Sequence, residues 1–198
     1  MLDDPLTERP HRPPTAIGVM GSAGGDLLPS SISKSYDLGR AIARRGFVLI
    51  NGACPGLPMH AAHGAKDEGG MTVGISPALS IDEHVAKYAA PTEWLDVIIY
   101  TGSGLMGREA TNIRSSDIVV FAGGRSGTLG EFAIAYEEGK LIGVLEGTGG
   151  ISAEIPELVE ICRKESGAHV LYDTDPDRLV ERLWSFYCER HFRQPSLS

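Results

Sequence analysis

One stretch of the chain combines residues that could bind an anion with a carboxylate that could take part in a reaction. An apolar run over residues 118–122 is followed by the loop Gly123-Gly124-Arg125-Ser126-Gly127-Thr128, and Glu131 comes one turn into the helical pattern after it. Glycines let backbone N–H groups approach a ligand closely, and a helix start offers unpaired N–H donors at the positive end of its dipole. The stretch therefore predicts a phosphate seat beside a carboxylate.

The same residues also have a purely structural interpretation. Thr128 and Glu131 have the S/T-x-x-E spacing of a capping box, in which both side chains only satisfy amides at the helix start. Three glycines in a strand-to-helix turn occur in proteins of many functions. Spacing alone therefore leaves helix capping and ligand binding open.

Strands and helices alternate along the chain, which determines how this stretch is positioned. Apolar runs predict strands at 15–20, 47–50, 71–76, 96–100, 118–122, 141–145 and 169–172, and helical spacing predicts helices between them. This order gives βαβ units, so we expect one α/β domain with a mostly parallel sheet and helices on both faces. The domain is predicted over residues 15–190, with flexible tails at 1–14 and 191–198.

Five glycine loops follow predicted strands, and they begin at Gly21, Gly52, Gly102, Gly123 and Gly147. Right-handed crossovers bring strand-to-helix loops to one edge of a parallel sheet, where ligands bind in this architecture. We therefore expect Gly21-Ser22-Ala23 and Gly52-Ala53 to join the loop Gly123–Thr128 in one phosphate site. Arg108, at the start of the helix before the central strand, would lie near Glu131, unless it is an ordinary solvated arginine.

Two other ligand classes are not predicted. The run Gly21-Ser22-Ala23-Gly24-Gly25 does not match GxGxxG, and Asn51 stands where an acidic ribose partner is expected at the end of the second strand. NAD binding is therefore not expected, while a mononucleotide stays open. His60 and His63 with Asp67 have a spacing that could bind a metal, but no third ligand is evident.

The net charge, the apolar segments and the cysteines indicate which macromolecular partners and which location to expect. The chain of 198 residues has a formal net charge of −8 and no long basic run, so we expect no nucleic-acid or membrane-surface partner. There is no apolar stretch of about 20 residues, and the N-terminal segment does not resemble a signal peptide. Three widely spaced cysteines (Cys54, Cys162, Cys188) fit a reducing cytoplasm. Arg114, beside Asp117, is expected at the surface or in an ion pair.

Residues 123–131 resemble the PGGxGTxxE signature of the LOG family, whose members have been labelled lysine decarboxylase-like. Arg108 together with Arg114-Ser115-Ser116-Asp117 is similar to the GRN…RSAD pattern of the branch that includes molybdenum-cofactor carrier proteins. The resemblance covers residues 16–150. The chain departs from the pattern at Ala122, Gly130 and Glu109, where proline, glutamate and asparagine are usual.

The resemblance implies a Rossmann-like, doubly wound fold and a homodimer or homotetramer. LOG enzymes cleave the N-glycosidic bond of cytokinin riboside 5′-monophosphates, and their signature arginine and glutamate correspond to Arg108 and Glu131. Glu131 would stabilise positive charge on the ribose or activate water, and Arg108 would orient the substrate. Two functions stay open: a binding protein for a nucleotide, phosphate or the molybdenum cofactor, and a nucleoside 5′-monophosphate phosphoribohydrolase. No cofactor is required, and no lysine lies in a context that supports a decarboxylase.

Overall fold

The computed structural model describes residues 13–190, so residues 1–12 and 191–198, which make up most of the two predicted tails, lie outside the described residues. The strands of the described part are β1 (Ala16–Gly21), β2 (Val48–Asn51), β3 (Thr72–Ser76), β4 (Val97–Tyr100), β5 (Ile118–Ala122), β6 (Leu141–Leu145) and β7 (His169–Asp173). The helices between and after them are α1 (Pro29–Arg44), α2 (Leu57–Asp67), α3 (Ile81–Ala86), α4 (Gly104–Arg114), α5 (Ser126–Glu137), α6 (Ile151–Cys162) and α7 (Pro176–Glu189). The predicted alternation is confirmed, and element ends differ from the prediction by one or two residues.

All the strands pair in parallel in a single sheet with the order β4-β3-β2-β1-β5-β6-β7. The chain builds outward from β1 to β4 and then returns to the other side of β1 with β5, where Gly21 lies beside Ala122. The strand order therefore reverses between β1 and β5, and a crevice opens at their carboxyl ends. This confirms the expected α/β, Rossmann-like architecture.

Apolar clusters cover both faces of the sheet. Leu38, Ala61 and Leu183 belong to the cluster under α1, α2 and α7, whereas Ile113 and Phe132 belong to the cluster under α4, α5 and α6. Every residue of β5 is buried, as expected for a parallel strand that is covered on both faces. The central strands are thus fixed in place beneath the crevice.

No helix within residues 13–190 is long and apolar enough to cross a membrane. The cytoplasmic location expected from the cysteines stays a prediction.

Candidate functional site

A cleft of about 360 Å³ lies at the carboxyl ends of β1 and β5, where the strand order reverses. The loops after β1, β2 and β5 and the side chains of α4 and α5 form its walls: Val19, Met20, Gly21, Ala23, Gly52, Cys54, Pro58, Arg108, Glu109, Arg125, Ser126, Gly127, Thr128 and Glu131. The structure thus brings Arg108 and Glu131 into one cleft with most of the expected phosphate-binding residues. The loops at Gly102 and Gly147 do not line this cleft, so three of the five glycine loops meet there.

The amides of Gly123 and Gly124 are not free, contrary to the expectation from the sequence. The Gly123 N–H donates to the hydroxyls of Thr148 and Ser152, each at 2.9 Å, and the Gly124 N–H donates to Ser22 Oγ at 2.7 Å. These bonds fix the shape of the loop and tie it to the loops after β1 and β6. An anion would have to use amides further along the chain.

Free amides are available at the start of α5 itself. Arg125 is the N-cap residue, and no side chain among residues 13–190 caps this helix. The first intrahelical bond at this end joins the Leu129 N–H to the Arg125 carbonyl at 3.0 Å. The N–H groups of Ser126, Gly127 and Thr128 precede that bond, and all three residues line the cleft. Because Thr128 lies inside the helix and is not its N-cap, the capping-box interpretation is wrong.

Arg108 projects from α4 into the cleft and is only 7% exposed. Its Nη2 donates to Cys54 Sγ at 3.6 Å, and its Nη1 packs on Gly52, where a Cβ atom would come within 1.7 Å. Its Nε is buried and has no hydrogen-bond partner in the part of the chain that the structure describes. No ion pair within the described residues joins this guanidinium to Glu109 or Glu131, so it retains unused donor capacity.

Glu131 lies on α5 at the floor of the cleft and is 7% exposed. Its Oε1 accepts one hydrogen bond, from Asn112 Nδ2 at 3.4 Å. Burial raises the pKa of Glu131 to about 7, although the positive charge of Arg108 opposes this shift. The carboxyl group is therefore available in both protonation states near neutral pH, which suits an acid or a base.

Two ionisable residues of the cleft were not among the site residues predicted from the sequence. Glu109 follows Arg108 on α4, and Cys54 follows Gly52 and Ala53 after β2. Burial raises the pKa of the Glu109 carboxyl and of the Cys54 thiol, and in both cases the charge of Arg108 acts in the opposite direction. Glu109 is one of the positions at which the chain departs from the resembled pattern, which was the available signal.

The remaining predicted residues lie close to the cleft or away from it. Ser22 lines a neighbouring cavity of about 310 Å³ that also touches Gly124 and Arg125. Ala53 is buried, and its N–H donates to Asn51 Oδ1 at 2.8 Å. Arg114 pairs with Glu138 at 2.7 Å, as expected. No group of three metal-ligating side chains occurs among residues 13–190.

A model of the SLOG cluster4 family matches residues 14–180 of the chain. An uncharacterized protein from Archaeoglobus fulgidus is 35% identical over 130 residues, which are 66% of this chain and 79% of that protein. Among solved structures, the molybdenum cofactor binding protein from Rippkaea orientalis is 30% identical with a TM-score of 0.72, over 89% of this chain and 99% of that one. The molybdenum cofactor carrier protein of Chlamydomonas reinhardtii is 28% identical with a TM-score of 0.69, over 86% and 99% of the two chains.

A more distant likeness bears on the expected partners. DNA processing protein A from Helicobacter pylori, described as binding single-stranded DNA, is 19% identical with a TM-score of 0.58, over 87% of this chain and 81% of that one. At this identity the likeness shows a shared fold alone. Because the fold also occurs in a DNA-binding protein, the expected absence of a nucleic-acid partner is not supported by the fold and rests only on the acidic net charge.

Proposed function

This chain belongs to the SLOG cluster4 family, and on that premise we propose that it binds a small phosphate-bearing ligand, a nucleotide or the molybdenum cofactor. The ligand phosphate would lie at the start of α5, against the amides of Ser126, Gly127 and Thr128. The observation that carries the proposal is the uncapped helix start facing a cleft in which Arg108 Nε is buried without a partner. An anion that accepts hydrogen bonds from the α5 amides and from Arg108 Nε would supply the partners that these donors lack.

The names of the similar proteins support one of the two ligands. The proteins from Rippkaea orientalis and Chlamydomonas reinhardtii are named for binding or carrying the molybdenum cofactor. That cofactor ends in a phosphate, which fits the proposed phosphate-binding site at the start of α5. It would be cargo and not a catalytic group of this protein. Gly21, Ala23 and Gly52 would form the walls beside it, whereas Ser22, Gly123 and Gly124 would keep the loop in shape.

Calorimetric titration with AMP and with inorganic phosphate tests the proposal. AMP is expected to bind and to raise the melting temperature, because a ligand that binds only the folded form stabilises it. Arg108→Met should weaken AMP binding by about tenfold or more, the value of one charge-assisted hydrogen bond. The matched control is Arg114→Met, which removes a surface arginine outside the cleft. Equal AMP affinity in both variants would contradict the proposal, as would no binding of either compound to the unmodified protein.

A second candidate function, phosphoribohydrolase activity, is favoured by one observation. The Glu131 carboxyl, with a pKa of about 7, lies in the same cleft as Arg108. In this reaction the bond between ribose C1′ and the base breaks, its electron pair leaves with the base, and water adds at C1′. Ionised Glu131 would stabilise the positive charge that develops on the ribose or take the proton of the attacking water.

Base release from AMP and from isopentenyladenosine monophosphate, followed by chromatography, separates the two functions. Binding without base release would leave the binding protein alone. Base release that is unchanged in Glu131→Ala would remove the mechanism based on this carboxylate. Loss of release in Glu131→Ala, with AMP affinity retained, is the result expected of an enzyme.

We also propose that the protein is a homodimer or homotetramer. Exposed apolar side chains lie on the edge strand β4 and at the start of α4; Ile99 is 47% exposed, Leu105 52% and Met106 70%. Large apolar side chains that a single chain leaves exposed are typical of protein interfaces when they form a patch. Light scattering should give the mass of an oligomer for the unmodified protein and a lower mass for Ile99→Lys. The control Leu28→Lys, which changes an exposed leucine elsewhere, should keep the mass of the unmodified protein. A monomeric mass for the unmodified protein would exclude the assembly.

A further inference from the structure

The Glu109 carboxylate lacks a partner although it is almost completely buried. Glu109 is 5% exposed and lines the cleft, and no hydrogen bond or ion pair to its side chain is found within residues 13–190. A buried carboxylate accepts hydrogen bonds in almost every protein, because leaving it without donors is unfavourable. The carboxylate faces the cleft, so its donors come from the molecules that enter the cleft, which are solvent in the empty site and a ligand when one is bound.

Glu109 lies beside the first turns of α5, not at the end of the helix. A Cβ atom added at Gly130 would come within 2.9 Å of Glu109 Oε2, and one added at Gly127 within 3.4 Å of Oε1. Gly130 and Glu109 are two of the positions at which the chain departs from the resembled pattern, and they are in contact. The absence of a side chain at position 130 provides the space for this carboxylate. Because Glu109 does not cap α5, the N–H groups at the start of this helix stay available to a phosphate next to the carboxylate.

The second strand cannot supply the usual acidic contact to a ribose. In dinucleotide-binding folds an acidic residue near the end of β2 accepts a hydrogen bond from a ribose hydroxyl. This chain has Asn51 there, and its side chain is committed to the loop: Nδ2 donates to the Pro58 carbonyl at 3.1 Å and Oδ1 accepts from the Ala53 N–H. Glu109 introduces a carboxylate into the same cleft from α4.

The type of donor follows from where Glu109 lies. A phosphate offers mainly acceptors at neutral pH, and its negative charge is repelled by a carboxylate, so a bare phosphate ligand is a poor partner for Glu109. In a nucleoside 5′-monophosphate the donors nearest the phosphate are the ribose 2′- and 3′-hydroxyls, whereas the base lies further away. Because Glu109 flanks the first turn of α5, hydroxyls close to the phosphate are the donors within its reach.

We infer that Glu109 is a specificity-determining residue that accepts hydrogen bonds from the ribose hydroxyls of a nucleoside 5′-monophosphate bound at α5. This inference rests on the proposed function and narrows its ligand to a ribonucleotide. Such donors would favour the ionised form of Glu109, which burial otherwise disfavours.

Titration with AMP and with 2′-deoxy-AMP at pH 8 tests the inference. The unmodified protein should bind AMP about tenfold or more tightly than 2′-deoxy-AMP, the difference made by one hydrogen bond to a charged group. In Glu109→Gln, which keeps the size but removes the charge, this preference should fall to roughly twofold. Both nucleotides carry the same phosphate and 3′-hydroxyl, so a merely structural role of Glu109 predicts an equal change in both affinities and an unchanged preference.

Two further variants control for folding and charge. Glu157→Gln makes the same chemical change on the exposed face of α6 and should keep the full preference for AMP. Glu109→Asp keeps the charge on a shorter side chain and should give an intermediate preference, so the inference stays testable if Glu109→Gln unfolds. The thermal unfolding of every variant is measured without ligand.

The outcomes separate this inference from the proposed function. Equal affinities for AMP and 2′-deoxy-AMP in the unmodified protein would overturn the role of Glu109 and leave phosphate binding intact. A preference that persists in Glu109→Gln would also overturn it. If neither nucleotide binds, both proposals fail.

Discussion

Asp173 and Glu131 both have buried carboxyl groups near the carboxyl ends of the strands, but they differ in their hydrogen-bond partners. Asp173, at the end of the outer strand β7, is 4% exposed. It accepts from Arg178 at 2.6 and 2.7 Å, from Arg182 at 3.0 Å and from the Asp175 N–H at 3.0 Å. Glu131, on α5 after the central strand β5, accepts a single hydrogen bond of 3.4 Å from the side-chain amide of Asn112. The two side chains have similar solvent exposure, but Asp173 accepts four hydrogen bonds and Glu131 accepts one.

The pKa values of the two carboxyl groups are shifted in opposite directions, each by a different cause. Hydrogen bonds from the arginines hold the pKa of Asp173 well below its usual range, whereas burial raises that of Glu131 to about 7. Around Glu131, Arg108 Nε and Asn112 Oδ1 are also buried without partners. A group of incompletely bonded polar side chains in a cleft is typical of a functional site, because a ligand supplies the missing bonds.

The largest effect that tests this contrast is expected for Glu131→Gln. The unfolded-state pKa of a glutamate is about 4.3 and the folded-state value is about 7, so the folded form holds its proton more tightly. The wild-type protein therefore loses stability as the pH rises between these values and does not regain it above them. Glutamine carries no such penalty, so at pH 8 the variant should gain roughly 3 kcal/mol in free energy of unfolding.

Urea denaturation at pH 5 and pH 8 measures this gain, which should be clearly smaller at pH 5. Glu157→Gln, on the exposed face of α6, should change stability little at either pH. A variant that is less stable than the wild type at pH 8 would show that Glu131 is structurally satisfied after all.

A smaller effect of the opposite sign is expected for Asp173→Asn. Replacing the carboxylate weakens its bonds from Arg178 and Arg182, so the free energy of unfolding at pH 7 should fall by roughly 2 kcal/mol. Because the pKa of Asp173 is lowered by folding, its contribution is present above the ordinary value and is lost as the pH falls below it. The gap between variant and wild type should therefore narrow in acid.

The same urea titrations, run at pH 7 and pH 3, check this expectation, with Asp82→Asn on the exposed start of α3 as the control. If Asp173→Asn has the same free energy of unfolding as the wild type at pH 7, the hydrogen bonds of Asp173 do not stabilise the fold and the contrast with Glu131 fails.

The smallest effect is expected in thiol chemistry, since the cause that acts on Glu131 also acts on Cys54. Burial raises the pKa of the Cys54 thiol, and only the thiolate reacts. Iodoacetamide at pH 8 should label Cys54 roughly tenfold more slowly than the exposed Cys162, as measured by peptide mass spectrometry. Saturating AMP should slow Cys54 further and leave Cys162 unchanged. Faster labelling of Cys54 would mean that the cleft is more hydrated than its burial indicates.

Much of the fold was determined by the sequence itself. Apolar runs alternating with helical spacing predict parallel βαβ units, because a parallel sheet requires a crossover after each strand. The same rule places every strand-to-helix loop at one edge, so Arg108 and Glu131 were expected to lie near each other. These are consequences of local pattern and handedness, which a sequence records directly.

The details of the cleft were decided by the tertiary structure. The order β4-β3-β2-β1-β5-β6-β7 selects the loops after β1, β2 and β5. The hydroxyls of Ser22, Thr148 and Ser152 accept hydrogen bonds from backbone amides of the glycine loop that the sequence suggested were free. Contacts such as Glu109 against Gly130 join separate helices, and no local periodicity encodes them. They arise only when the packed sheet brings distant segments together, which is why the position of the glycine loop after β5 was predictable and its free donors were not.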